Sequence, residues 1–501
     1  MEQLWALLNG FGTALSVSNL LFCLAGVSVG MFVGVLPGLG PVAGTAMLIP
    51  LTFGMDPIPA VIMLSGIFYG AMYGGTITSV LINTPGESAS VITCLDGYQM
   101  AKQGRAGSAL GVAAIGSFIG GIVAVLSLTF LGPALAAIAL KFGAPEFFSL
   151  MLFGLLLLVG LMGKSVVKGL IAAIIGLILA LIGQDPGSGA DRFLFNQLDL
   201  LDGVDFVVLA MGLFGISEIL LNAENNMDID KPAKISGLIP PREEWKPAMA
   251  AIGRGTGLGM ILGLIPGASA SIAALLSYSL EKKVAKDPSR FGKGAIEGVA
   301  GPETANNAYA GAALIPLFTL GIPSSPTVAI LLGAFIMHGL TPGPLLYQKN
   351  PEFIWAVIAS MFIGNTVLLI MNLPMARLWA KVAQVPYKLL FPLILIICMT
   401  GVYSVNRSLW DVGLLIFFGI VGYFMKKLQL PSAALILSFI LGKNIEFTLI
   451  QTLASSESGL LYLLERPISA TLITLCFIVL AAGLYSAIKK KRSKLASDAE
   501  L

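Results

Sequence analysis

The stretch GVLPGLGPVAGTAMLIP, Gly34 to Pro50, has no charge, yet it gathers glycine and proline in a segment apolar enough for lipid. Glycine and proline are the weakest helix formers. A run of this kind reads as a membrane helix that is deliberately interrupted. Pro37 ends one helix, and Gly38, Gly40 and Gly44 form a turn and the start of the next.

The rest of the chain supports a membrane setting. Its 501 residues are 56% hydrophobic and 11% charged, with a mean hydropathy of +0.89. Soluble domains carry about 25% charged residues. Apolar segments recur at 16–36, 57–83, 107–135, 144–162, 166–183, 204–222, 248–264, 302–320, 327–347, 353–374, 388–405, 408–425, 430–450 and 469–488. A crossing needs about 20 such residues. The expected class is an all-α polytopic membrane protein of about 12 transmembrane helices. The runs are continuous rather than alternating, which excludes a β-barrel. Cys23, Cys94, Cys398 and Cys476 lie in or beside apolar segments and read as packing residues. The N-terminus MEQLWALLNG lacks a basic n-region, so no cleaved signal peptide is expected.

Lys and Arg orient the chain. The tail KKKRSK after Ile488 puts the C-terminus in the cytoplasm, with Arg377, Lys381, Lys388, Lys426 and Lys427 on the same side. The charged loops Glu224–Lys246 and Glu281–Lys293 follow them inside. Only about 33 residues, Pro247 to Leu280, then separate two cytoplasmic loops. A re-entrant hairpin turning at Pro266-Gly267 fits that length; one long tilted or kinked helix is the rival reading.

The opening stretch has a second copy. GMFVGVLPG, Gly30 to Gly38, matches GMILGLIPG, Gly259 to Gly267, at five of nine positions and an offset of 229 residues. INTPGESAS, Ile82 to Ser90, follows the first, and LGIPSSPT, Leu320 to Thr327, follows the second. Two Pro-containing breaks in each half point to a secondary transporter. The implied organisation is a first membrane repeat over 1–223, a charged cytoplasmic linker over 224–247, a second repeat with the C-terminal helices over 248–488, and a basic cytoplasmic tail over 489–501.

Broken helices expose backbone groups that bind ions. An N-terminal end attracts an anion, and free carbonyls attract a cation such as Na⁺. Candidate substrate contacts are Gly38, Gly40 and Gly44 in the first turn, Thr84, Ser88 and Ser90 in the first break, and Ser269 and Ser271 in the second turn. Asn306 and Asn307 in GPETANNAYAG, and Ser324 and Ser325 in the second break, complete the set. Glu87 is read as a cation ligand, a proton carrier or a partner of Lys102 or Arg105; Glu303 as a second coupling carboxylate or a helix cap. Plain packing is the competing reading for Gly30, Gly34 and Gly38, and for Tyr69 and Tyr73. His338 reads as an interfacial histidine. No GxxxxGK[ST] loop and no HExxH pair occurs, so neither an ATP motor nor a zinc protease is indicated, and no enzyme is expected.

Four stretches carry a resemblance: Gly34–Pro57, Tyr69–Gly111, Gly263–Lys283 and Gly301–Ala334. Together they resemble the large membrane subunit of the tripartite tricarboxylate transporters, the TctA family. The resemblance implies a bacterial inner-membrane permease importing citrate-like carboxylates on a Na⁺ or H⁺ gradient, with no other cofactor. It implies a small membrane subunit of about four helices and a periplasmic solute-binding protein as partners. No nucleic acid or nucleotide is implied. An anion-selective channel, or the same architecture moving a non-carboxylate solute, stands as the alternative.

Overall fold

Glycine spacing sets the first helix contact. In the computed structural model, which describes residues 2–162, 165–185, 187–224, 232–235, 237–385 and 387–499, α1 (Glu2–Ala14) leads into α2 (Val17–Val35), α3 (Gly40–Leu48) and α4 (Pro57–Ile82). A Cβ on Gly26, Gly30 or Gly34 of α2 would meet backbone oxygens of Met63, Ile67 or Ala71 on α4 at 2.2–2.5 Å. Small residues four apart let the two backbones touch, which is how helices pack where lipid supplies no hydrophobic drive. The packing reading therefore holds for Gly30 and Gly34.

Helix α4 stops at Asn83, which takes a left-handed conformation at φ 52°. Residues 83–90 run without helix, and α5 (Val91–Lys102) restarts before the long α6 (Ala106–Ala139). Helices α7 (Ala144–Met162) and α8 (Val166–Ala180) follow, then a ribbon of β1 (Gly183–Gln184) and β2 (Asp191–Arg192) paired antiparallel. In that ribbon the Gly187 N–H and the Ser188 hydroxyl hold the Asp185 carboxyl down at about 2. Asp185 and Glu446 both pair with Arg192. The segment expected at 204–222 is α9 (Phe206–Ala210), a π-helical turn at Met211–Ile216, and α10 (Ser217–Glu224). The charged linker expected at 224–247 lies partly outside the described residues.

The second set begins with α11 (Arg242–Gly263) and α12 (Ala270–Val284). Arg254 on α11 grips Glu281 on α12 with both a 2.8 Å bond from Nε and a 2.5 Å bond from a terminal nitrogen. The chain has therefore doubled back at residues 264–269. This excludes one long helix through Pro247–Leu280 and agrees with the hairpin. Glycines of α11 repeat the close approach: Gly255 and Gly259 face the oxygens of Gly301 and Ala305 on α13 (Glu297–Ala312). Helix α14 (Leu314–Leu320) ends at Gly321, left-handed at φ 71°, and α15 (Pro326–Met337) restarts. The segment expected at 327–347 is thus shorter, because His338 and Gly339 end α15; His338 Nε2 lies 3.1 Å from the Thr52 hydroxyl. Helices α16 (Leu346–Lys349), α17 (Pro351–Asn372), α18 (Ala376–Val382), α19 (Tyr387–Asn406), α20 (Leu409–Lys427), α21 (Ser432–Ala454), α22 (Tyr462–Glu465) and α23 (Pro467–Ala499) complete the fold.

Among the described residues, seven helices are long and apolar enough to cross a membrane, or eight if the pair bent by 101° around Arg466 is one span. The remaining apolar helices are shorter, because breaks cut several expected crossings. All four cysteines are free.

One polar lock ties the two sets together. Asp96 of α5 accepts the N–H groups of Gly292, Gly294 and Ala295 at 2.7–2.9 Å and the Tyr278 hydroxyl at 2.9 Å. Asp96→Ala leaves these donors without an acceptor, at about 1–3 kcal/mol per buried group. We expect a clear fall in melting temperature of the detergent-solubilised protein, and a smaller one for Asp96→Asn. An unchanged melting point for D96A would remove this lock from the account.

Candidate functional site

The two turns and the two breaks meet. Gly86 in the first break sits against the Gly34 carbonyl, where its added Cβ would be 1.9 Å from the oxygen. Gly267 in the second turn donates to the Ser324 carbonyl at 3.1 Å. Ser271 joins the sets by donating to the Ser88 hydroxyl at 2.9 Å. Gly38 and Gly267, at corresponding places, take φ of +86° and +87°. That conformation is strained for any residue with a Cβ.

Between these segments lies a cavity of ≈ 550 Å³. Four helices begin at its wall: α3 with Gly40 to Ala43, α5 with Val91, α12 with Ala270 and Ser271, and α15 with Pro326 and Thr327. Ser269 caps α12 and Ser325 caps α15 through their hydroxyls. First-turn N–H groups have no intrahelical acceptor, and the helix dipole adds positive potential there. The cavity is therefore suited to an anion.

Of the expected substrate contacts, Gly38, Gly40, Ser88, Ser269, Ser271 and Ser325 line the cavity. Gly44 does not; it makes room for the Val33 side chain. The Thr84 hydroxyl bonds to the Ile82 carbonyl, Ser90 to the Glu87 carbonyl, and Ser324 to the Ala313 carbonyl. These three hydroxyls serve the bends of the chain. Asn306 donates to Glu87 at 3.0 Å, and Asn307 donates to Ser117 at 2.7 Å, so both amides are turned into the protein. Tyr69 and Tyr73 are core residues, the latter bonded to Asn365.

Glu87 lies on the cavity wall, with its carboxylate accepting from Asn306 and, at 2.9 Å, from the Ala89 N–H. Lys102 and Arg105 are not its partners: Lys102 stacks over Tyr98, and Arg105 pairs with Glu244. Glu303 is no helix cap, since α13 starts six residues earlier. It lies behind the cavity, 1% exposed, and accepts hydroxyl hydrogens from Thr76 at 2.6 Å and from Thr93. Among the described residues no Lys or Arg pairs with Glu87 or Glu303. The Oδ1 atoms of Asn306 and Asn307 are buried without a donor. Two carboxylates and two amide oxygens without a donor are thus buried around this wall with no cationic side chain paired to them among the described residues.

Sequence reading missed Met72, Phe214, Glu218, Tyr309, Thr327 and Lys426 on the cavity wall. Tyr309 follows the noted amides by two residues, and Thr327 ends the noted second break; those are the only local signals.

Comparison with known proteins settles the family. Residues 20–437 match the model of the tripartite tricarboxylate transporter TctA family. The chain belongs to that family. It is a multi-pass inner-membrane protein, the permease subunit of a tripartite tricarboxylate transporter, and not an enzyme. It is 45% identical over 496 residues, 99% of both chains, to an uncharacterized 52.8 kDa protein in the TAR-I ttuC' 3' region of Agrobacterium vitis. It is 43% identical over 237 residues, 47% of this chain and 98% of the other, to an uncharacterized protein in the TAR-II ttuC' 3' region of the same organism. No solved structure matches.

Proposed function

We propose that this TctA-family permease imports a citrate-like di- or tricarboxylate on a Na⁺ or H⁺ gradient by alternating access. The observation that carries the reading is the start of four helices, α3, α5, α12 and α15, at one cavity wall. Their first-turn N–H groups and the hydroxyls of Ser88, Ser269, Ser271 and Ser325 hold the carboxylates. Glu87 and Glu303 take the coupling cations, and charge balance links the two. A cation that neutralises Glu87 also removes its repulsion of the anion beside it. The family supports a small membrane subunit of about four helices of about 20 residues each and a periplasmic binding protein that delivers the solute. The glycine contacts and the matched φ values at Gly38 and Gly267 support two related repeats, 1–223 and 248–488. The five shorter apolar helices support a total of about 12 crossings. The basic end KKKRSK supports a cytoplasmic C-terminus.

The test is uptake of labelled citrate, other tricarboxylates and dicarboxylates by cells carrying the chain with both partner subunits. Each solute is supplied with and without a Na⁺ gradient and at two external pH values. Uptake that needs the binding protein and one of the two gradients is expected. Carboxylate flux indifferent to both gradients and to the binding protein would make the protein a channel. Absence of carboxylate uptake by membrane-inserted protein would move the substrate to another class.

A further inference from the structure

Lys426 is the one cationic side chain on the cavity wall among the described residues, and it forms an ion pair with Glu218, also on that wall. The pair is built by helix packing. On α20, Gly419 accommodates Ile216 and Gly422 accommodates Ser217, so the π-helical turn and α10 press closely onto α20. Lys426 lies one turn beyond Gly422 on that same face, and Glu218 directly follows Ser217. The side chains of Lys426 and Glu218 are 28% and 21% exposed. Each is sheltered by protein yet reachable from the cavity.

Resting on the carboxylate reading above, the geometry points to Lys426 as the specificity-determining cation of the substrate site, with Glu218 occupying it until substrate arrives. Helix ends and hydroxyls offer only partial positive charge. A ligand with two or three carboxylates gains further from the full charge of Lys426 on the same wall. Substrate displaces the Glu218 carboxylate from the ammonium, one carboxylate for another, and the lysine stays paired throughout. The ammonium itself thus never stands uncompensated, and the released Glu218 carboxylate, 21% exposed, turns to the water of the cavity. The ammonium also rewards the number of charges on the ligand, so the site prefers tri- and dicarboxylates over monocarboxylates. Glu218 sets the threshold: a weak anion fails to displace it.

The experiment is thermal stabilisation of the purified full chain in nanodiscs by citrate, succinate and acetate, for the wild type, Lys426→Met, Lys426→Arg, Glu218→Gln and the double variant K426M/E218Q. The wild type is expected to respond to citrate more than to succinate, and to acetate least. K426M weakens citrate binding by about ten- to a hundredfold, the value of a hydrogen bond to a charged group, and narrows the gap between citrate and acetate. K426R restores most of it. E218Q removes the competitor and tightens citrate binding by about fivefold, the value of a partly exposed ion pair. A purely structural pair gives a different pattern: K426M and E218Q lose stability alike, and the double variant recovers it without any change in anion preference. That pattern overturns the proposal, as does K426M with an undiminished citrate response. Should K426M fail to fold, an E218Q protein with unaltered citrate affinity overturns it equally. No anion response in the wild type removes the carboxylate reading itself, and the lysine's role with it.

Discussion

Glu303→Gln protein is expected to fold, reach the membrane and lose gradient-driven uptake by about a hundredfold or more. Glu303 is 1% exposed and is held by hydroxyls of α4 and α5, so it joins three helices at one point. Glutamine keeps the shape and both contacts: its oxygen accepts from one threonine, and its amide donates to the other. What it removes is the charge. If Glu303 and Glu87 together receive the coupling cation, one lost buried charge costs about 3 kcal/mol or more. Each 1.4 kcal/mol is tenfold, which gives the expected size of the defect. The measurement is initial uptake rate against Na⁺ concentration and against external pH, normalised to protein in the membrane. Size-exclusion profiles and melting curves serve as the folding control. Wild-type gradient dependence in E303Q would reduce Glu303 to a helix connector and leave coupling to Glu87 alone. Glu87→Gln extends the test, because its carboxylate borders the cavity while that of Glu303 lies behind it.

The second large effect is on folding. Gly34→Leu and Gly259→Leu should yield little or no monodisperse protein. An added Cβ lies 2.2 Å from the Ala71 oxygen in the first case and 2.3 Å from the Ala305 oxygen in the second. Backbone cannot retreat as a flexible side chain would, so the helices must separate along their whole contact. The loss belongs with the most severe single substitutions, about 4–5 kcal/mol or more. Helix α11 provides its own control. Gly253 and Gly257 lie on the same helix, and an added Cβ there meets nothing within 4 Å. Gly253→Leu and Gly257→Leu should therefore be accepted in a lipid setting. Equal yields from all four variants, read by size-exclusion chromatography of detergent extracts, would contradict the close-packing account of both helix pairs.

Much of the site was visible in the chain itself. Proline and glycine act locally: Pro37-Gly38 and Pro266-Gly267 mark turns, and the Asn83–Ser90 and Gly321–Ser325 stretches mark breaks, because backbone conformation depends on the residue in place. Apolar length is local too, so the membrane class and most helix positions followed from it. Which way a small polar side chain points is not local. Ser88 and Ser90 are two residues apart in one break, yet Ser88 lines the cavity while Ser90 is spent on the Glu87 carbonyl. Asn306 and Asn307 sit in a motif that suggested substrate contact, and the packing of α13 turns both inward. Lys426 is the clearest case. In the chain it is one of two basic residues at the end of an apolar run, read as a mark of orientation. Only the close packing of α20 against the π-helical turn and α10 brings it to Glu218 and to a cavity whose other lining residues, Gly38 to Thr327, all lie far back in the chain. Sequence determined the turns, the breaks and the lipid-facing lengths, since each depends on covalent geometry and composition within a few residues. The tertiary structure decided which charges face one another and which hydroxyls face the cavity, since burial and pairing depend on helices far apart in the chain.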